Sequence, residues 1–299
     1  KLKKNLKMSN KKAKISWALY DFANSSFPTL VTTFLFSTYF TQVLAPSPEK
    51  GTALWGTATG IAGVIIAITS PFIGSIADHT GKRKPWLAFF TILCIVSTAL
   101  MWFVEPNEDF ILFALFLTII GTVALEIGHV FYNTMLADLV PKDEIGKLSG
   151  QAWGLGYFGG LICLFLALGI FIDPPVKLFQ LNNETAEPIR ASMVLTAVWF
   201  ALFSWPIFLY TQDKNKTGVN IFVAISHAKK SITNTIMNLK YYSNIFIFLI
   251  SRMVYIDGVN TMFAFGGIYA AGTFGMEFSD ILLFGITLNV TAGLGSFLF

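Results

Sequence analysis

Apolar runs long enough to cross a bilayer recur along this chain, separated by short polar or Pro/Gly breaks. They fall at roughly 17–44, 53–77, 86–104, 110–137, 151–172, 191–210 and 244–272, and an eighth begins near Ser279 and is still apolar at Phe299. A helix of about 20 apolar residues spans the hydrocarbon core, so the pattern predicts eight membrane spans. The longest break, 211–243, organises the rest. It implies a basic cytoplasmic tail at 1–14, a six-helix bundle at 15–210, a cytoplasmic linker at 211–243, and the first two helices of a second bundle at 244–299. Within the linker, 221–238 mixes apolar residues with Lys229 and Lys230, as an amphipathic helix lying on the membrane surface does.

Composition agrees with this all-α polytopic reading. The chain is 54% hydrophobic and 13% charged, with mean hydropathy +0.63, whereas soluble domains are about a quarter charged. A disordered chain, a disulfide scaffold and an ordinary cytosolic enzyme are excluded. Cys94 and Cys163 both lie inside apolar runs, so neither a disulfide framework nor a metal cluster is expected. Seventeen Lys and Arg residues fall in the tail and in the connections at 82–84, 142–147 and 214–240, against three (Lys50, Lys177, Arg190) on the opposite side. The positive-inside bias puts the N-terminus in the cytoplasm, which argues against a seven-span receptor. Met8 is a plausible start, and the tail lysines either set topology or hold the tail against anionic lipid.

Ionisable groups inside spans are costly and call for a partner, a wet cavity or a function. The candidates are Asp21, Glu126, His129, Arg252 and Asp257. Asp21 and Asn24, three apart, share a helix face with Trp17 and Tyr20. Pro28 cannot donate to the Asn24 carbonyl, which suits a coordinating patch inside protein; the plainer alternative is an ion pair at the helix end. The segment Asp21-Phe-Ala-Asn24-Ser25-Ser-Phe27 is echoed by Asp257-Gly-Val-Asn260-Thr261-Met-Phe263. Such an echo at the start of each half is what a two-bundle repeat predicts. In the echo, Gly266 and Gly267 replace proline as the flexible element, and Arg252 is a candidate counter-ion.

Glu126, His129 and Asn133 lie within about 60° on one helix stripe, with Glu126 near mid-span. Low dielectric there disfavours the charged form of a carboxyl, so proton uptake and release near neutral pH is expected, with His129 as relay. The alternative is an interhelical hydrogen-bond pair that fixes packing. Gly156 and Gly160 form a G-x-x-x-G step, which predicts close helix packing. The connection Gly74-Ser-Ile-Ala-Asp78-His-Thr-Gly81-Lys82-Arg83-Lys84 carries a charged turn. Gly81 ends a helix, and Asp78 sits at a helix C-terminus, where it wants a cation.

That string resembles the loop signature of the major facilitator superfamily, whose members have twelve helices in two six-helix bundles and work by alternating access. The Trp17–Phe27 motif is similar to the opening motif of its vacuolar amino-acid effluxer-like (autophagy-related) branch. So are Arg252-Met-Val-Tyr255-Ile-Asp257-Gly258 and Tyr132-Asn133-x-x-Leu136-x-Asp138-Leu139. The resemblance implies a major facilitator fold lacking spans nine to twelve, with Gly74, Asp78, Gly81, Lys82 and Arg83 as the gating loop. It makes Asp21, Asn24, Asp257 and Asn260 cavity candidates, beside Glu126, His129 and Asn133. The function expected is secondary active transport of small polar metabolites, amino-acid efflux by analogy, coupled to H+. The alternative is a Na+-coupled sugar or other solute symporter. Its partners would be the bilayer, a small-molecule substrate and H+, with no cofactor, metal or nucleic acid. A bacterial inner membrane is the expected location, ahead of a vacuolar one.

Overall fold

In the computed structural model the described residues are 2–80, 82–176, 178–213, 243–298 and scattered positions between 223 and 241; side chains are described except at 2–10, 75–80 and 297–298. The helices are α1 (Leu2–Asn24), a four-residue α2 (Phe36–Tyr39), α3 (Pro48–Thr80), α4 (Lys84–Leu100), α5 (Ile111–Leu139), α6 (Ile145–Ala167), α7 (Glu187–Tyr210), α8 (Ser243–Phe274) and α9 (Phe278–Leu298). From α3 to α9, each helix contains a stretch long and apolar enough to cross a membrane. This is a multi-pass integral membrane protein, and large apolar side chains such as Ile68, Phe89, Leu112, Phe116 and Phe165 stand outward on it. The amphipathic segment expected at 221–238 lies outside the continuously described residues.

The expected span at 17–44 is helical but not one regular helix. After Asn24 the chain passes through a π-helical segment at Pro28–Phe34, the short α2, and a second π segment at Phe40–Leu44. Proline supplies no N–H to the preceding turn. The hydroxyls of Thr29 and Thr32 then donate to the carbonyls of Ser25 and Pro28 at 2.7 and 2.9 Å. Backbone bonds widen to five-residue steps, as from Leu35 N to Leu30 O at 3.0 Å. Isolated π turns concentrate at functional sites. Here the run from Phe27 to Leu44 is buried at every position except Pro28, Thr32, Gln42 and Val43.

Helix contacts follow from side-chain size, since between membrane helices it is packing that holds them together. Against α6, α1 lies at backbone distance. A Cβ placed on Gly159 would fall 2.0 Å from the Phe22 carbonyl oxygen, and one on Gly160 2.5 Å from the Thr29 hydroxyl. The expected G-x-x-x-G contact is therefore present, with α1 as its partner. On another side, Phe22 meets Trp199 and Phe203 of α7, with centroids 5.1 and 5.0 Å apart. On α5, Tyr132 stacks on Trp17, with ring centroids 4.4 Å apart and planes within 4°. α9 packs along α6, where Gly285 abuts Phe34 and Leu164.

Both ends are tied by buried arginines. At one, Arg190 is 6% exposed and bonds the carbonyls of Trp102 (2.5 Å) and Thr185 (3.1 Å), with Glu105 at 3.6 Å. At the other, Arg83 is also 6% exposed and donates to Asp138 (2.5 Å) and to the Thr134 carbonyl (2.9 Å).

Candidate functional site

Mid-way along α5, Glu126 and His129 stand one turn apart on one stripe. The His129 Nδ1 is 3.9 Å from Glu126 Oε2. Asp21, on α1, accepts from Asn24 Nδ2 at 3.4 Å. The α1 stripe that carries it packs on α5 through Trp17, which stacks on Tyr132, whose ring centroid lies 6.2 Å from that of His129. Asn24 is 3% exposed and turned inward. The side chain of Glu126 is 48% exposed, that of His129 28%, and Asn133 stands exposed on the same stripe.

The stripe forms an open face, while Ala124, Leu125, Ile127 and Gly128 on the rest of α5 are buried. Helix periodicity gave the stripe correctly but could not say whether protein covers it.

The echo behaves differently. Asp257 and Asn260 are exposed on α8, and among the described residues no side-chain hydrogen bond or ion pair joins them to Asp21, Glu126 or Arg252. Nor do Gly266 and Gly267 break the helix, which runs on to Phe274. Gly267 serves instead for a close approach to the π segment: a Cβ there would lie 2.3 Å from the Thr33 carbonyl oxygen. The need for a glycine was legible in the sequence, its reason was not.

In the predicted gating loop, Gly74 is half-buried with open space beside it and Lys82 is exposed. The Asp78 side chain and Gly81 lie outside the described residues. Arg83 is not a free loop charge, because Asp138 of α5 holds it. Asp213, just past α7, accepts from the backbone N–H of Arg83 (3.0 Å) and of Lys84 (3.1 Å), so it caps the start of α4. Lys84 Nζ returns a bond to the Thr211 carbonyl at 2.8 Å. Sequence reasoning missed Asp138, Asp213 and Tyr132 as partners. The first two lie 55 and 130 residues from Arg83, beyond any local sequence signal.

The larger cavities lie elsewhere. One of about 860 Å³ runs between α8 and α9 beside Phe34, Phe263 and Tyr269; another of about 750 Å³ lies by Gln42, Asp173 and Glu277. Neither reaches Asp21 or Glu126.

This helix order and packing define the class: the fold is that of the major facilitator superfamily. The proton:xylose symporter XylE, bound to 6-bromo-6-deoxy-D-glucose, superposes with a TM-score of 0.65 at 14% identity, covering 98% of this chain and 68% of that one. A partially occluded inward-open form of XylE from E. coli gives 0.58 at 15% identity, over 94% and 69%. The family described as vacuole effluxer Atg22 like matches residues 49–299, and the chain belongs to it. An uncharacterized MFS-type transporter, YxiO of Bacillus subtilis, is 28% identical over 280 residues, 93% of this chain and 64% of its own length. Autophagy-related protein 22-1 of Phaeosphaeria nodorum is 23% identical over 187 residues, 50% of this chain and 32% of its own. The chain thus spans under two thirds of the length of these relatives. Family membership sets the enzyme and receptor readings aside.

Proposed function

We propose that the protein is a secondary active transporter that moves small polar metabolites by alternating access, with amino-acid efflux as the leading reaction and H+ as the coupling ion. The observation that carries this reading is the Glu126–His129 pair, 3.9 Å apart mid-way along α5, on the helix whose Tyr132 stacks on Trp17 of the α1 stripe that also holds Asp21. Glu126 takes up a proton and His129 relays it, because an ionisable pair with access to a wet cleft can exchange protons there while the neighbouring surface faces lipid. Asn24 and Asn133, with Asp257 and Asn260 from α8, contribute hydrogen-bonding groups to a polar substrate in the cleft. Residues 15–210 form one complete bundle and 244–299 begin the second, joined through 211–243.

Arg83 and its loop act as the gate. The Arg83–Asp138 pair fixes the α4–α5 junction at the lysine-rich end, which the positive-inside bias places in the cytoplasm of a bacterial inner membrane. Asp78 supplies the charge that engages the opposite bundle.

The test is uptake into proteoliposomes holding the full-length protein, with amino-acid and sugar panels under an imposed pH or Na+ gradient. Acceleration of amino-acid flux by the pH gradient is expected, and Glu126→Gln should reduce it at least tenfold, about 1.4 kcal/mol of coupling. Flux driven by Na+ alone, or a pH response untouched by Glu126→Gln, overturns the assignment.

A further inference from the structure

Between α4 and α7, away from the Glu126–His129 pair, lies a groove of about 630 Å³. Ile92 and Ile95 of α4 and Trp205 and Phe208 of α7 wall it, and Ile92 and Trp205 are 59% and 61% exposed. The hydroxyls along it are spent: Thr91 donates to the Leu87 carbonyl at 2.7 Å and Ser204 to the Ala201 carbonyl at 3.4 Å. A polar solute would find few partners there. The second half of the chain packs elsewhere, with Phe265 of α8 against Gly56 of α3 and Gly293 of α9 against Tyr157 of α6, and none of its described residues lines the groove. The groove therefore opens on the bilayer. Water has no hydrogen-bonding partners at that depth, so an acyl chain is what fills it.

Its mouth is basic and lies at the lysine-rich end. Lys84 Nζ donates to the Thr211 carbonyl at 2.8 Å, and an ammonium has three protons to give, so two remain for a ligand. Lys82 beside it is exposed. On the same end of α7, Lys12 Nζ stands 5.4 Å from the Tyr210 ring centroid. The carboxylate at the mouth is Asp213, held by the backbone N–H groups of Arg83 and Lys84 at the start of α4, where the helix dipole offsets its charge. Trp205 lies five residues before the end of α7, and aromatic rings near a span's end sit at headgroup level. We propose that the α4–α7 groove binds an anionic phospholipid from the leaflet at the lysine-rich end, with an acyl chain along Ile92 and Trp205 and the phosphate on the Lys84 ammonium. The bound lipid braces α4 against α7 just where Arg83 ties α4 to Asp138 of α5. A zwitterionic lipid brings the same chain without net charge; inorganic phosphate brings the charge without the chain. The site is independent of substrate and coupling ion.

The full-length protein in detergent is titrated with phosphatidylglycerol, phosphatidylcholine or inorganic phosphate. Binding is read as quenching of Trp205 fluorescence by the brominated form of either lipid, taken as the difference between the parent and Trp205→Phe. Phosphatidylglycerol should bind about fivefold more tightly than phosphatidylcholine, the worth of one lysine near an anionic headgroup, and inorganic phosphate at equal concentration should not displace it. Lys84→Gln should abolish the preference and leave phosphatidylcholine binding unchanged, and Lys84→Arg should restore it. Lys142→Gln, at an exposed lysine outside the groove, should leave the preference intact. Ala88→Trp, which sets an indole inside the groove, should weaken both lipids. Equal affinities for the two lipids in the parent, displacement by inorganic phosphate, or a loss in Lys142→Gln equal to that in Lys84→Gln overturns the proposal. Should Lys84→Gln fail to fold, equal quenching of the parent by the two brominated lipids overturns it alone.

Discussion

Asp21 and Asp257 head the same short pattern on α1 and α8, yet among the described residues only the first is packed against other helices. Around Asp21 stand Trp17 and Tyr20, each 1% exposed, the glycine face of α6 and the Glu126–His129 stripe of α5. At the matching positions of α8, Met253 is 61% exposed, Asp257 is exposed and Gly258 has nothing within 4 Å. The difference teaches that the repeated motif carries the residue types, whereas its chemistry comes from what neighbouring helices bring. The Asp-x-x-Asn step on α1 is packed among aromatic side chains and the glycine face of α6; the same step on α8 is an open polar stripe among the described residues.

The sharpest way to break that comparison is to truncate the matched pair Trp17 and Met253. Trp17→Ala should destabilise the protein by about 4 kcal/mol, the usual cost of removing a buried Trp; it removes the indole N–H that donates to the Tyr132 carbonyl and leaves the Trp17 backbone carbonyl as acceptor for the Tyr132 hydroxyl. Met253→Ala should cost under about 0.5 kcal/mol. Chemical unfolding followed by circular dichroism reads both. A comparable loss at Met253 would show that α8 gains partners beyond the described residues, and the two regions would then be alike.

Next in size is the glycine contrast. Gly159→Ala places a methyl 2.0 Å from the Phe22 carbonyl oxygen, a backbone atom that cannot swing away. The helices must separate, at a cost of about 3 kcal/mol. Gly258→Ala meets open space and replaces a poor helix former, so a gain of up to about 1 kcal/mol is expected. Size-exclusion profiles and melting curves of the two variants would separate them; equal behaviour would mean the α1–α6 contact yields more easily than its geometry implies.

These contrasts also show how far the sequence could be read. Span positions were legible because apolar length and polar breaks are local properties, and the Glu126–His129 stripe because helix periodicity is fixed. The π turns at Pro28–Phe34 were only half legible. Proline announced a broken ladder, but the five-residue bonds depend on Thr29 and Thr32 closing onto carbonyls one turn back. The partners of Arg83 lie 55 and 130 residues away, at Asp138 and Asp213, and no local pattern pairs charges over such separations. Tyr132 was unreadable as a site residue because a tyrosine on an apolar face is ordinarily core. What distinguishes it is a ring stacked on Trp17 and a hydroxyl donating to the Trp17 carbonyl, a fact of three-dimensional packing.

The smallest expected effect bears most directly on function. Asp21→Asn and Asp257→Asn each remove one charge and keep volume and hydrogen-bonding capacity nearly constant. Neither should alter folding by more than about 1 kcal/mol, since a buried carboxyl whose partners are hydrogen bonds is well replaced by an amide. In flux through full-length protein the two should part. Asp21→Asn loses the carboxylate of the packed α1 stripe, and a reduction near tenfold is expected. Asp257→Asn leaves a hydrogen-bonding side chain on an open stripe, and about a twofold reduction is expected. If the α8 carboxylate proved as costly to remove as the α1 carboxylate, both halves of the repeat would carry charge in the transport cycle, and the cluster on α1 and α5 would be one of two. If only Asp21 mattered, charge sensing would belong to the first half and the second would contribute shape and hydrogen bonds. The ratio of the two losses, measured at one pH and one substrate concentration, therefore decides whether the repeat is symmetric in chemistry or only in sequence.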